Sequence, residues 1–333
     1  MYDYLSEIDG RFPIRNSAAQ KESFRSYALS EAARHGLSRA VREENDGHVN
    51  LVFSDPAEAR VIFTAHYDTP RRSLLPNLML VTNPVLYWLY QIGLVLLLLV
   101  PAIGAAIGVR ALFRLDTSEM SARLLMLAAY LAVYFALFAM LLRGPANRHN
   151  RNDNTSGTAA VMEMIRALGD RPGVAFILFD DEEKGKKGSK AYAAAHPAIR
   201  QDTLIVNLDC VGNGDTYVFC ASGKTGASPL YAELQAAVRE SGLNARFYSS
   251  GLVQMNSDHK NFRLGVGVCA CRYQPLVGYY TGRIHTARDT VAEPETAARL
   301  AAALAAFAAQ KACSLSDNSG KAVARKEIIA HET

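Results

Sequence analysis

Two histidines and several carboxylates recur at positions suited to hydrolytic metal chemistry. His66 and Asp68 form His-x-Asp in HYDTP, and Asp153 lies in RNDNTSG. Glu182 and Glu183 are adjacent in FDDEEKGKKGS, Asp209 lies in NLDCVGNGD, and His285 lies in RIHTARDT. Imidazole and carboxylate are the ligands that suit zinc or another divalent first-row ion. Together they exceed what one tetrahedral site needs, whereas two metals sharing one carboxylate would use them all. Each has a structural explanation when taken alone. An aspartate ahead of a helix is ordinarily an N-cap, and an acidic run after a strand is ordinarily a solvated turn. What argues for chemistry is their shared placement.

That placement comes from the elements around them. Arg60 to Ala65 (RVIFTA) is a short apolar run ending at His66, Val174 to Phe179 is a second ending in DDEE, and Leu204 to Leu208 is a third ending at Asp209. Val266 to Cys271 reads as a further strand. Thr155 to Leu168 carries Val161, Met164, Ile165 and Leu168 at helical spacing, and Ser228 to Ser241 and Thr290 to Cys313 also read as helices. Strands alternating with helices predict an α/β fold with a mixed, mainly parallel sheet. In such sheets ligands bind beyond the carboxyl ends of the strands. His66, the acidic run Asp180 to Glu183, and Asp209 all fall there.

Half of the 333 residues are hydrophobic and a fifth are charged, so the chain can bury a large core. Its 36 basic against 32 acidic residues exclude a dedicated nucleic-acid binder. Five cysteines are too few for a disulfide scaffold, and Cys269 and Cys271, two apart in an apolar stretch, read as buried thiols on one strand face. The hydrophobicity is unevenly spread. Ser73 to Val109 carries no charged residue, nor does Leu124 to Leu142, and Arg110 to Arg123 is a polar link between them. Neither run has a polar stripe, so they predict a transmembrane helical hairpin, 73–143. Gly104 and Gly108 would form its seam with Ala128, Ala132 and Ala136; Pro101 would kink the first helix, and Tyr87, Trp88 and Tyr90 would sit at the interface. The hairpin would interrupt a discontinuous catalytic domain, 1–72 and 144–313, followed by a flexible tail, 314–333. No charged-then-apolar leader pattern opens the chain. Arg71, Arg72, Arg143, Arg148 and Arg151 flank the catalytic side against Arg110, Arg114 and Arg123 in the link. Positive-inside counting therefore predicts a multi-pass cell-membrane protein with a cytoplasmic catalytic domain. The hairpin roots must border the metal site, which points to substrates in or on the membrane (apolar peptides, signal-peptide remnants or acylated amino acids), the alternative being a simple tether with soluble peptides diffusing in.

The order of these motifs resembles metallopeptidase family 28, the co-catalytic zinc aminopeptidases of clan MH. His-x-Asp, Asp-Asn-x-Ser-Gly, Glu-Glu-x-Gly-x-x-Gly-Ser, Asp-x-Val-Gly after a strand, and His-Thr-x-x-Asp-Thr carry the likeness, with SDHKNFRLGVGV from Ser257 matching the segment ahead of the last histidine. The resemblance covers about Asn50 to Val291 outside the hairpin, which widens the usual gap before Asp153. It implies a phosphorylase/hydrolase-like three-layer sandwich binding two Zn2+. Asp153 would bridge the metals, His66 and Asp209 completing one and Glu183 and His285 the other. Glu182 would be the general base and Asp68 the partner that orients His66. Tyr279 and Tyr280 are candidate substrate contacts. The implied activity is removal of N-terminal residues from peptides by a membrane-anchored aminopeptidase. The alternatives are an amidase or acyl-amino-acid hydrolase of the same fold, and an inactive membrane scaffold, although no ligand is missing. Glutaminyl cyclases share the fold with one zinc, and the intact His66 favours two.

Overall fold

Strands buried on both faces need no polar alternation, and the apolar runs singled out above become such strands. The computed structural model describes residues 3–73, 75, 77–142, 144–249 and 254–310. The chain opens with α1 (Tyr4–Arg11) and α2 (Ala18–Arg34), then β1 (Ala40–Asn45), β2 (His48–Phe53), β3 (Val61–His66) and β4 (Asn77–Leu80). Two long helices, α3 (Pro84–Phe113) and α4 (Met120–Leu142), follow. The rest comprises α5 (Gly157–Leu168), β5 (Val174–Phe179), α6 (Lys187–Ala195), α7 (Pro197–Asp202), β6 (Leu204–Leu208), β7 (Thr216–Ala221), α8 (Pro229–Glu240), β8 (Ala245–Tyr248), β9 (Gly265–Gln274) and β10 (Gly278–Ile284). A last helix, α9, covers 294–310. Cys313 and the expected tail 314–333 lie outside the described residues.

The sheet runs β1-β2-β5-β3-β6-β9-β10-β4, with β7 on the other edge of β9 and β8 beyond it. Its centre, β5-β3-β6-β9, is parallel. Successive side chains alternate between faces. Phe53, Phe63, Phe176 and Val206 pack with Ile8, Phe24, Ile165 and Leu304 on one face. Val52, Ile62, Ile177 and Ile205 pack with Tyr192 and Ile199 on the other. Helices on both faces of a mainly parallel sheet are the three-layer α/β sandwich expected.

The hairpin begins later than its uncharged sequence. Residues 77–80 pair with β10, and helix α3 waits for Asn83, whose side chain accepts from Leu86 N at 2.9 Å, with Pro84 at the first helical position. At 1.5 Å per residue, α3 and α4 are roughly 45 and 34 Å long, enough to cross a hydrocarbon core of about 30 Å. Their apolar side chains are exposed, among them Ile92, Leu96, Val100, Ile107 and Leu127. Among the described residues they are not covered as core helices would be. The predicted seam is corrected: Gly104, Gly108, Ala128, Ala132 and Ala136 all face outward, while Ala102 and Ala122 are the buried pair. The seam also takes in Ala105, Ala106, Ala129 and Val133. Both helices are rich enough in alanine that several faces would allow close approach, so spacing alone could not select the one used.

Candidate metal centre

His66 closes β3, Glu182 and Glu183 follow β5, Asp209 follows β6 and His285 follows β10; Asp153 reaches them from the turn ahead of α5. The backbone bends sharply to do this, with positive φ at Asp181, Cys210 and His285 (49°, 59° and 60°). Asp153 is the hub. Its Oδ1 lies 3.5 Å from His66 Nε2, and its Oδ2 lies 3.0 Å from His285 Nε2. His66 Nε2 is also 3.9 Å from Asp209 Oδ1, and His285 Nε2 is 3.2 Å from Glu183 Oε2. Two clusters thus share one carboxylate. Ligand atoms around a tetrahedral ion with bonds near 2.0 Å lie roughly 3.3 Å apart, and these contacts of 3.0, 3.2, 3.5 and 3.9 Å bracket that spacing. The buried Glu183 Oε1 has no hydrogen-bond partner among the described residues, as a carboxylate kept for a cation would have none.

A supporting layer fixes these side chains. The Asp68 carboxylate lies 3.3 Å from His66 Nδ1 and accepts from the backbone N–H groups of Glu182 (3.0 Å) and Glu183 (3.2 Å). One residue therefore sets both the imidazole and the glutamate pair. Asp289 accepts from the N–H groups of Asn152 (3.1 Å) and Asp153 (3.0 Å). The motif Asp-Asn-x-Ser-Gly now has a mechanical reason. Asn154 donates to Leu208 O (2.9 Å) and accepts from Gly157 N and Cys210 N, while Ser156 Oγ accepts from Val211 N at 3.0 Å. The start of α5 is thereby laced to the end of β6, next to Asp209. A Cβ at Gly157 would come within 2.3 Å of Leu208 O, so only glycine allows the approach.

Charge accumulates here. Burial pushes the Glu183 carboxyl up to about 7; His285 opposes this and Asp153 adds to it. Burial likewise raises Asp209, and it lifts Glu182 well above its usual range, where His66 opposes and Asp258, Glu183 and Asp209 reinforce. Both imidazoles are raised: burial opposes protonation, but Asp153 and Asp68 outweigh it at His66, and Glu183 and Asp153 do so at His285. A cluster this rich in carboxylate is one that divalent cations would neutralise.

Several supporting residues escaped the sequence reading. Arg15 is fully buried and donates to Tyr67 O, Phe12 O and Thr155 Oγ1. Lys21 bridges Asp180 and Asp181, and Arg25 meets Asp180 at 2.9 Å, which makes those two aspartates structural. Asp258 hydrogen-bonds Ser189, while its other oxygen is buried without a partner; burial, with Asp68 and Asp209 adding to it, raises its carboxyl to about 7. Asp289 and Asp258 stood inside quoted motifs, so the signal was present; Arg15 and Lys21 carried none. Tyr279 and Tyr280 lie on β10, where Tyr279 packs against Tyr273 and Tyr248. Cys269 and Cys271 are fully buried, their sulfurs 3.5 Å apart, as expected of thiols sharing a strand face.

A cavity of about 570 Å³ opens from the centre. His285 and Glu183 form one wall, and Tyr90, Leu94 and Leu98 of α3 with Phe138 of α4 form the opposite one. The juxtaposition follows from the chain path: β4 leads into α3 and pairs with β10, which ends one residue before His285, while Ser73 N donates to His285 O at 2.6 Å.

Residues 145–308 match the family model described as Peptidase family M28. That span is just under half of the chain, and over it the chain is similar to peptidase family M28. Solved structures share its fold. The Legionella pneumophila LapA aminopeptidase is 14% identical with a TM-score of 0.55, over 93% of this chain and 68% of that one. A Zn-dependent exopeptidase from Parabacteroides distasonis is 18% identical at 0.55, over 92% and 95%. The Porphyromonas gingivalis glutaminyl cyclase is 13% identical at 0.55, over 93% and 97%. No curated protein sequence matches significantly. The match supports a zinc-dependent metallohydrolase.

Proposed function

We propose that this protein is a membrane-anchored, two-metal hydrolase of amide bonds, and that its reaction is release of N-terminal residues from peptides. The observation that carries this reading is the pair of ligand clusters sharing Asp153. His66 and Asp209 would hold one ion with Asp153, and Glu183 and His285 the other, zinc being the ion this donor set suits best. When bound, the ions supply a water of lowered pKa and polarise the scissile carbonyl. Glu182 takes the proton of the attacking water and returns it to the leaving amine, a role suited to a carboxyl raised by its surroundings. Asp68 keeps the His66 ring oriented and seats Glu182 and Glu183 through their backbone N–H groups. The exposed apolar helices α3 and α4 would cross the cell membrane, with the catalytic domain on its cytoplasmic side. An inactive scaffold is disfavoured by the complete ligand set.

A second reading, hydrolysis of a non-peptide amide, is favoured by one observation: the outer wall of the cavity is apolar and belongs to the hairpin. The test of the shared chemistry is hydrolysis of an aminoacyl p-nitroanilide by the purified full chain. Activity should vanish on chelation and return with zinc. Turnover that survives complete metal removal would overturn the reading.

A further inference from the structure

The hairpin wall of the cavity is long, apolar and one-sided. Tyr90, Gln91, Leu94, Val95 and Leu98 recur on one face of α3. From residue 90 to residue 98 that face extends roughly 12 Å along the helix. No single side chain of an N-terminal residue reaches so far. An extended peptide of that length has about four residues. Its backbone N–H and C=O groups would then lie against Leu94, Val95, Leu98 and Phe138, which offer them no partners. A hydrocarbon chain has no such groups to satisfy. The polar rim discriminates further. Lys184 is committed to Asp181 at 2.8 Å, whereas Arg71 forms no ion pair among the described residues, its guanidinium donating only to Gly144 O at 3.2 Å. Glu183, a metal-ligand candidate, is the only carboxylate among the lining residues. A substrate ammonium would find no spare anion there, and a substrate carboxylate would find a spare guanidinium.

We infer that this cavity is an acyl-chain subsite and that its substrate class is N-acyl amino acids drawn from the bilayer, with the acyl chain along α3, the amide at the metal centre and the carboxylate at Arg71. The inference rests on the second reading above, hydrolysis of a non-peptide amide, rather than on release of N-terminal residues, and gives that reading a substrate. In the reaction the water oxygen bonds to the acyl carbon, the C–N bond breaks, and the water proton passes through Glu182 to the nitrogen. The products are a fatty carboxylate and a free amino acid, with no other reactant.

The test uses the full chain in nanodiscs loaded with zinc, assayed on N-acetyl, N-octanoyl and N-dodecanoyl amino acids beside an aminoacyl p-nitroanilide. The expected kcat/KM rises roughly fourfold per methylene until the wall is filled. Leu98→Trp should shift the optimum to shorter chains, and Arg71→Ala should raise KM more than tenfold for N-acyl amino acids but far less for N-acyl anilides, which lack the carboxylate. Metal content equal to the parent's confirms that each variant is folded. On metal-free protein, a dodecanoyl amino acid with a terminal diazirine should label residues 91–98 and Phe138. Label spread over every lipid-facing side of α3 and α4, with a chain-length profile untouched by Leu98→Trp, would mean bilayer partition alone and overturn the inference. Cleavage of the anilide without cleavage of any N-acyl amino acid would overturn it too, while leaving the hydrolase reading intact. Cleavage of neither by zinc-loaded protein would remove the hydrolase reading itself.

Discussion

Glu182 and Glu183 are chain neighbours given different work by the same backbone turn. Asp68 receives both of their N–H groups, so the turn is rigid before any ligand arrives. Glu182→Gln should keep the metals yet lower turnover by about 10²–10⁴-fold, the usual worth of a positioned acid–base group. Glu183→Gln should instead release one metal; titration of bound metal separates the two outcomes, and near-normal turnover in Glu182→Gln would refute its role. A different residue governs acid stability. The His259 ring is buried with neither nitrogen hydrogen-bonded, and burial, helped by Lys260 and Lys186, lowers its pKa to about 3. Its folded pKa lies below the unfolded value of about 6.5, so its neutral burial contributes fully above that pH. The contribution is lost as pH falls towards 3, at up to ~1.4 kcal/mol per pH unit. His259→Phe should therefore flatten the fall in stability between pH 6 and pH 4 relative to the parent, as read by denaturant melts. Parallel slopes would show that the ring does not titrate on unfolding. The principal site residues were legible because each ends a strand or opens a helix in a motif whose residue types have few other uses together. Arg15 and Lys21 were not, because a buried cation in a polar N-terminal segment looks like a surface residue until distant partners, Tyr67 for Arg15 and Asp180 for Lys21, are placed beside it.

At the scale of elements, the turn ahead of α5 is the part that holds the two clusters in register. Gly157→Ala would drive a methyl group into Leu208 O, and because that atom is backbone the turn must shift, at a cost of about 1–3 kcal/mol. The shift would separate Asp153 from Asp209, so metal affinity should fall together with thermal stability. A variant with parental melting temperature and metal content would show that the contact relaxes freely. The central strands were readable from apolar runs, with β6 and β5 falling on the expected residues. The β1–β2 hairpin was missed although its signal was present: Asp46-Gly47 links the strands with φ of 50° and 76°, the pattern of a two-residue turn. Strand β1, at the sheet edge, is too charged to read as an apolar run, and in β2 the polar His48 and Asn50 leave only Leu51 to Phe53 as an unbroken apolar stretch. Strand β4 was hidden for the opposite reason. Its apolar residues merge into the uncharged run of α3, and only pairing with β10 distinguishes them.

For the whole molecule, the hairpin and the catalytic domain are one device if β4, β10 and His285 hold α3 against the cavity. Topology is tested by Ser118→Cys at the link between α3 and α4. The four described cysteines are buried, so only Cys313 needs replacement by serine as background. An impermeant thiol reagent applied to intact cells should label the link; labelling only after lysis would place the catalytic domain outside. The account stands or falls on the shared Asp153 centre, and metal stoichiometry of the purified full chain measures it most directly. Two tightly bound zinc-type ions per chain are predicted for the parent, and Asp153→Ala should lose both because each cluster loses a ligand. A parent chain that holds no tightly bound metal after zinc loading, with its fold intact, would contradict the account.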